Sequence, residues 1–246
     1  MRTNDAAADR EEERFVRTLA AIPDDARNAL EIGFYDLRLT RLLAKRLDLV
    51  SVDVPHPVEN AQGHKLAFAD IQRLPFRDAA FDLVVCTEVL EHLDDDVLAR
   101  GIAEIRRVAR SYILVTVPWR QELAAGMFRC ARCGHEVNCQ GHVQRFDEAR
   151  LSALFAGMHT YALERLGSHF GHAPAWMYRM ANRLGNSWHP LIFGDSCPAC
   201  GQAANIPASN VFGWLARRLI WRIEARATPR PAWILMVLGT RSAVSP

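Results

Sequence analysis

The run Phe81-Asp82-Leu83-Val84-Val85-Cys86-Thr87-Glu88-Val89-Leu90-Glu91-His92-Leu93 constrains this chain more than any other stretch. Its first half is an apolar segment short enough for a buried strand, with β-branched Val84 and Val85 at the centre. Its second half puts Glu88, Glu91 and His92 just past the strand's carboxyl end. In open α/β sheets that rim is where ligands bind. A Pro-marked turn, Leu74-Pro75-Phe76-Arg77-Asp78, leads into the strand.

Strand and helix signals alternate on either side of this run. Residues 9–22 place Phe15, Leu19 and Ile22 at helical spacing among charges, and Pro23-Asp24-Asp25 ends that amphipathic helix. Asn28 to Gly33 reads as a short strand closing on a glycine, Leu37 to Leu47 as a helix, and Leu49 to Val54 as a strand stopped by Pro55 and Pro57. Strand, turn, helix and strand make a βαβ unit with a parallel pair. Arg100 to Arg110 is the next helix, and Tyr112 to Pro118 a buried strand. Asp147 is the expected N-cap of a helix carrying Leu151, Leu154 and Phe155. Tyr161 to Leu166 and Pro231 to Leu238 read as the last strands. About sixty residues, 168–229, separate those two, beyond any ordinary hairpin connection, and are expected to form a lobe of their own.

Composition narrows the class. The chain has 246 residues, 50% hydrophobic and 24% charged, ample for one α/β domain with an insertion. Its formal net charge of +2 gives no bulk electrostatic case for nucleic acid, and none is expected as a partner. The first residues are polar rather than signal-like, and no apolar run approaches the ~20 residues of a membrane span. Cytoplasmic is the expected compartment.

Six cysteines include two knuckles, Cys130-Ala131-Arg132-Cys133-Gly134 and Cys197-Pro198-Ala199-Cys200-Gly201. The glycine permits the tight turn that puts two thiolates on one metal, and two knuckles complete a tetrahedron when the fold joins them. Structural zinc on Cys130, Cys133, Cys197 and Cys200 is the expectation. A rival set is Cys130, Cys133, Cys139 and His142. Neither pair lies between a strand and a helix start, so a thioredoxin-like redox role does not fit. Cys86 reads as an inert core thiol.

The pattern Leu74-Pro75-Phe76-x-Asp78-x-x-Phe81-Asp82-Leu83-Val84-Val85-Cys86-Thr87-Glu88-Val89-Leu90-Glu91-His92-Leu93 resembles the class I S-adenosylmethionine-dependent methyltransferases, in the branch with small-molecule and glycan acceptors. The likeness covers roughly residues 28–165 and a final strand near 232–239. It implies a doubly wound, mostly parallel, Rossmann-like sheet whose last two strands are antiparallel, with a zinc-clamped insertion. The implied organisation is a helical lead-in at 1–27, an α/β core at 28–166, an insertion at 167–230 and a closing strand and tail at 231–246.

The resemblance also implies ligands. The family's first strand ends in Glu/Asp-x-Gly-x-Gly-x-Gly, where the backbone approaches the cofactor closely. This chain keeps Glu31 and Gly33 but has Tyr35 and Leu37 at the second and third glycine positions. Glu31, Gly33 and Tyr35 are the implied contacts of the cofactor's methionine end. Asp53 is the implied ribose ligand, Asp70 and Ile71 the adenine pocket, and Glu88 the lining of the cleft. His92 is the implied general base, since a neutral imidazole is suited to taking a hydroxyl proton near pH 7. The letters Glu88, Glu91 and His92 also resemble the acid-acid-histidine set that holds a divalent cation in ubiquinone-biosynthesis and small-RNA O-methyltransferases. His142, His169 and His172 are further acceptor-side histidines to which no role is assigned.

The expected reaction is therefore methyl transfer from S-adenosylmethionine to an oxygen of a small-molecule or glycan acceptor. The alternative is a catalytically inactive, zinc-stabilised binding module that kept the sheet and lost the cofactor, for which Tyr35 and Leu37 argue. Val211 to Ile223 carries aromatics among arginines. One function for it is peripheral contact with a membrane interface. The expected arrangement is instead burial of Phe212, Leu215, Leu219 and Ile223, which form one helical stripe.

Overall fold

The computed structural model describes residues 2–35, 37–58, 62–168, 172–192 and 194–240, with side chains from residue 10 onward. It divides into two compact units, one of residues 1–119, 146–167 and 231–246, the other of residues 120–145 and 168–230. The strands are β1 (Asn28–Ile32), β2 (Asp48–Asp53), β3 (Lys65–Phe68), β4 (Phe81–Thr87), β5 (Ala109–Pro118), β6 (Met127–Arg129), β7 (Glu136–Asn138), β8 (His159–Leu166) and β9 (Trp233–Gly239). The α-helices are α1 (Arg2–Ala20), α2 (Arg38–Leu43), α3 (Asp95–Val108), α4 (Glu148–Leu154), α5 (Ala175–Gly185) and α6 (Val211–Glu224).

In the first unit seven strands form one sheet in the order β3-β2-β1-β4-β5-β9-β8. β1 to β5 run parallel, and β9 is antiparallel to both β5 and β8. The expected antiparallel closing pair is present. Strand order turns back at β1, which pairs with β2 on one side and β4 on the other, and such a switch point opens a ligand crevice at the strands' carboxyl ends.

Both faces of the sheet are covered, which explains the unbroken apolar letters of β4. Val84 and Cys86 pack with Ile102, Ile105 and Val108 of α3 and Leu151 of α4. Leu83 and Val85 alternate onto the other face, with Phe15 of α1 and Leu39 and Leu43 of α2. Asp94 caps α3 by accepting from the Val97 amide at 2.9 Å, so this helix starts five residues before the expected Arg100. Asp147 caps α4 as expected, accepting from the Arg150 amide at 3.0 Å. Each such cap contributes about 1 kcal/mol.

The second unit is built on the β6–β7 hairpin and on α5 packed against α6. Those helices meet at two glycines: a Cβ on Gly213 would lie 2.0 Å from the Gly185 carbonyl oxygen. Tyr178, Ala181 and Ile220 fill the contact. The expected burial of the late stripe does not occur. Phe212, Leu215 and Leu219 are 42%, 54% and 53% exposed, and Ile223 is half-buried. Gly213, Ala216 and Ile220 turn inward instead: Gly213 lets the backbones approach at the crossing, and Ile220 packs beside it. Among the described residues no helix is long and apolar enough to cross a membrane.

Candidate functional site

At the end of β1 the chain turns through Gly33, whose φ is +86°. A Cβ there would sit 2.4 Å from the Val89 methyl group, so only glycine fits between the end of β1 and the segment after β4. Asp53, at the end of β2, accepts from the Phe34 amide through Oδ2 at 2.9 Å and from the Val54 amide through Oδ1 at 2.7 Å. It therefore ties the loop after β1 to the neighbouring strand. Each carboxylate oxygen keeps a second lone pair for a ligand.

The two bulky residues in the glycine motif behave differently from one another. Leu37 adopts the left-handed conformation that a glycine would, φ 59° and ψ 8°, at the N-terminus of α2, with its side chain 1% exposed. Tyr35 is 68% exposed and stacks on His56, ring centroids 6.0 Å apart, so its ring does not fill the space beside Asp53. Phe34 does the inward packing, against His56 at 5.3 Å and Phe68 at 6.3 Å. This aromatic group was not anticipated from sequence, because Phe68 belongs to β3, an edge strand without a clear alternating pattern.

Glu31 is buried, and its Oε2 accepts from the Thr40 and Ser51 hydroxyls, each at 2.7 Å. It thus joins β1 to α2 and β2 and positions the loop. Asp70 is exposed and folds onto its own turn, accepting from the Gln72 amide at 2.9 Å. Ile71 is 9% exposed and packs on Gly101 of α3.

Past β4 lies a carboxylate pair. Glu88 has a left-handed backbone, φ 55°. Its side chain accepts from the Trp233 indole at 2.7 Å and from the Thr116 hydroxyl at 3.0 Å. Burial raises its pKa, while the Arg14 charge and these two hydrogen bonds oppose the rise. Glu91 is fully buried, and burial followed by the Glu88 charge holds its carboxyl well above the ordinary range. Arg14 of α1 lies over the Trp233 ring, 5.5 Å from the centroid, and is 7% exposed. Neither Arg14 nor Trp233 was anticipated, since α1 and β9 reach this rim only through the fold. His92 is exposed. Among the described residues, no group of ligand atoms within 4.8 Å of one another combines Glu88, Glu91 and His92, so the cation-triad alternative has no geometric support here. Cys86 is buried, and burial raises its thiol, in keeping with an inert core residue. His169 lies outside the described residues.

In the second unit Cys130, Cys133, Cys197 and Cys200 come together, their sulfurs all within 4.8 Å of one another. The Cys130 and Cys200 sulfurs are 3.9 Å apart and those of Cys133 and Cys197 3.7 Å. A zinc tetrahedron with ~2.3 Å bonds has edges of about 3.8 Å. The two knuckles have the same internal geometry. The Gly134 amide donates to the Cys130 carbonyl at 3.0 Å and the Gly201 amide to the Cys197 carbonyl at 2.9 Å, with φ of +73° and +68° at the glycines. Backbone amides of Cys133 and Arg132 lower the Cys130 thiol to about 7. Cys133 is lowered by the His135 amide, but burial and three facing thiols raise it to about 11. Such a set could hold a divalent, thiophilic metal once its sulfurs are deprotonated. Cys139 is not one of the four, which disposes of the rival set.

Residues 30–112 match the family model described as a methyltransferase domain. Among solved structures the fold is similar to that of a SAM dependent methyltransferase from Archaeoglobus fulgidus, with 16% identity, 93% of this chain and 94% of that chain covered, and a TM-score of 0.54. It is also similar to the 1,6-didemethyltoxoflavin-N1-methyltransferase of Burkholderia thailandensis, solved with bound 1,6-didemethyltoxoflavin and S-adenosylhomocysteine, with 16% identity, 96% and 80% coverage and a TM-score of 0.51. A third is the complex of the Haloferax volcanii Trm112 methyltransferase activator with the putative methyltransferase, with 14% identity, 96% and 93% coverage and a TM-score of 0.51. No curated protein matches the chain significantly. Sheet order and domain match define the class. The chain has the class I, Rossmann-like fold, the architecture of S-adenosylmethionine-dependent methyltransferases, and its residues 30–112 match a methyltransferase domain.

Proposed function

We propose that this S-adenosylmethionine-dependent methyltransferase acts on an oxygen of a small-molecule or glycan acceptor. The observation that carries the reading is the Gly33 turn, a cradle that a single Cβ would fill, one strand away from Asp53. When bound, the cofactor supplies an electrophilic methyl on a sulfonium. Asp53 holds the ribose hydroxyls through its remaining lone pairs, and the Asp70–Ile71 turn borders the adenine. The methionine end carries an ammonium and a carboxylate. Glu88 is the anion for the first, and Arg14, whose Nε has no hydrogen-bond partner among the described residues, is the cation for the second. Glu31, Gly33 and Tyr35 shape the loop beneath it. His92, at the exposed rim, takes the acceptor's hydroxyl proton. Holding the reactants in line supplies most of the acceleration.

The same reading gives the second unit a structural zinc on Cys130, Cys133, Cys197 and Cys200. The site is closed by four protein ligands and has no catalytic position. It ties residues 120–145 to residues 168–230 within that unit.

Calorimetric titration with S-adenosylhomocysteine tests the donor assignment. Binding that weakens by about 1.5–3 kcal/mol in Asp53→Ala is expected, the scale of lost hydrogen bonds to an ionised group. Absence of heat and of any thermal shift at millimolar ligand would leave the second reading, a zinc-stabilised binding module. Burial of the Phe34 ring beside Asp53 is the feature that favours it.

A further inference from the structure

The α5–α6 pair of the second unit presents an apolar surface that is exposed among the described residues. On α5, Trp176, Met180 and Leu184 recur at four-residue spacing and are 58%, 43% and 58% exposed. On α6, Val211, Leu215 and Leu219 make a second such stripe, and Trp214 and Trp221 lie on its other flank, 58% and 65% exposed. The first stripe ends and the second begins at the glycine crossing, since Leu184 precedes Gly185 and Val211 lies two residues before Gly213.

The charges on these helices are nearly all of one sign. Arg179, Arg183, Arg217, Arg218 and Arg222 face a single carboxylate, Glu224, which accepts from the buried Tyr178 hydroxyl. On the helical wheel of α6, Arg218 and Arg222 fall between the leucine stripe and the tryptophan flank. Arg218 lies over the Trp214 ring, 5.6 Å from its centroid. An arginine among apolar neighbours can lay its stem along them and lift its head to phosphate. Tryptophan is the side chain favoured at the boundary between headgroups and acyl chains. A second copy of the chain is a poor occupant. A two-fold contact through this face would set the same arginines against themselves.

We propose that the α5–α6 pair lies flat on an anionic lipid bilayer, with its tryptophans and leucines in the headgroup–acyl boundary and its arginines on lipid phosphates. The basic, acid-poor composition selects anionic lipid, and the depth of insertion is that of an interfacial helix, not a span. The surface uses none of Gly33, Asp53, Glu88 and Glu91, so it does not depend on the donor assignment.

The test uses the full chain with phosphatidylserine-containing vesicles, read by co-sedimentation and by quenching of tryptophan emission with bromine-labelled acyl chains. Binding is expected to fall with added salt and to be weak on pure phosphatidylcholine. Each arginine near the surface is worth about 5-fold in partitioning, so R218E with R222E together should lose at least ~25-fold. W214A with W221A should weaken binding at every salt concentration. The thermal midpoint and the far-ultraviolet spectrum serve as folding controls for both pairs. Bromine quenching of the unaltered protein needs no variant at all. A chain that stays in the supernatant at low salt, or shows no bromine quenching, overturns the proposal. So does equal vesicle binding by both variant pairs, or a self-associated form that shields these tryptophans and excludes vesicles.

Discussion

Trp233, near the end of the chain, donates its indole N–H to the Glu88 carboxylate just past β4, at 2.7 Å. The bond crosses β5, whose Thr116 supplies the second donor at 3.0 Å, so three strands converge on one half-buried acid. Trp233→Phe keeps a ring in place and removes only the donor. The expected cost is about 1–3 kcal/mol, seen as a lower urea midpoint at unchanged slope. Thr116→Val acts on the same carboxylate, so the double variant should be less than additive. Full additivity would mean that the two donors do not share Glu88.

Glu91 makes a prediction about pH. Its folded-state pKa is raised well above the ordinary value, first by burial and then by the Glu88 charge. The folded state therefore binds more protons than the unfolded chain above pH 4.5. Stability from this group is fully present below that pH and is lost as pH rises through the raised folded value. Glu104 and Glu148, lowered in the folded state, work in the opposite direction. The difference between wild type and Glu91→Gln isolates the effect: the variant's advantage should grow from pH 4.5 towards neutrality. A flat difference across that range would show that the carboxyl titrates normally.

The cysteine cluster predicts metal content. Elemental analysis should give one zinc per chain, and Cys197→Ser should lose most of it, because a three-thiolate site without its fourth ligand is open to water and chelators. Cys139→Ser is the control. It leaves the four facing sulfurs untouched, and zinc content should stay at one. Loss of zinc in the Cys139 variant would restore the rival set. Because metal binding is coupled to folding of its ligands, chelation should also expose the second unit to protease.

How much of this was legible in the letters depends on how far each feature reaches. β4 was plain, since a strand covered on both faces must be apolar throughout, as Leu83, Val84, Val85 and Cys86 are. The Asp147 cap and the cysteine knuckles were plain too, each being a local pattern with one physical cause. β3 was not, because an edge strand with Lys65 and an exposed Phe68 has no hydrophobic face to advertise. Arg14 and Trp233 could not be found at all without the fold. α6 was misread for a different reason. Its stripe of Phe212, Leu215 and Leu219 is real, but periodicity reports that a face is apolar and is silent on what covers it.

Leu37 is where competing magnitudes decide whether the degraded glycine motif is damage or substitution. A left-handed backbone costs a leucine about 1–2 kcal/mol, and its buried side chain returns about 2–5 kcal/mol in packing. Packing is the larger, so the residue holds the conformation in which glycine would otherwise be needed, with its carbonyl accepting from the Arg41 amide at 3.0 Å to start α2. Leu37→Gly should therefore destabilise by about 1–3 kcal/mol, less than the packing loss alone. Leu37→Ala loses the packing and keeps the strain, so it should be the less stable of the two by about 1 kcal/mol, a reversal of the order seen in helix interiors. Thermal midpoints of the two variants make the comparison. Alanine proving the more stable would show that the left-handed turn is not what position 37 maintains, and would strengthen the case for a loop that has lost its cofactor.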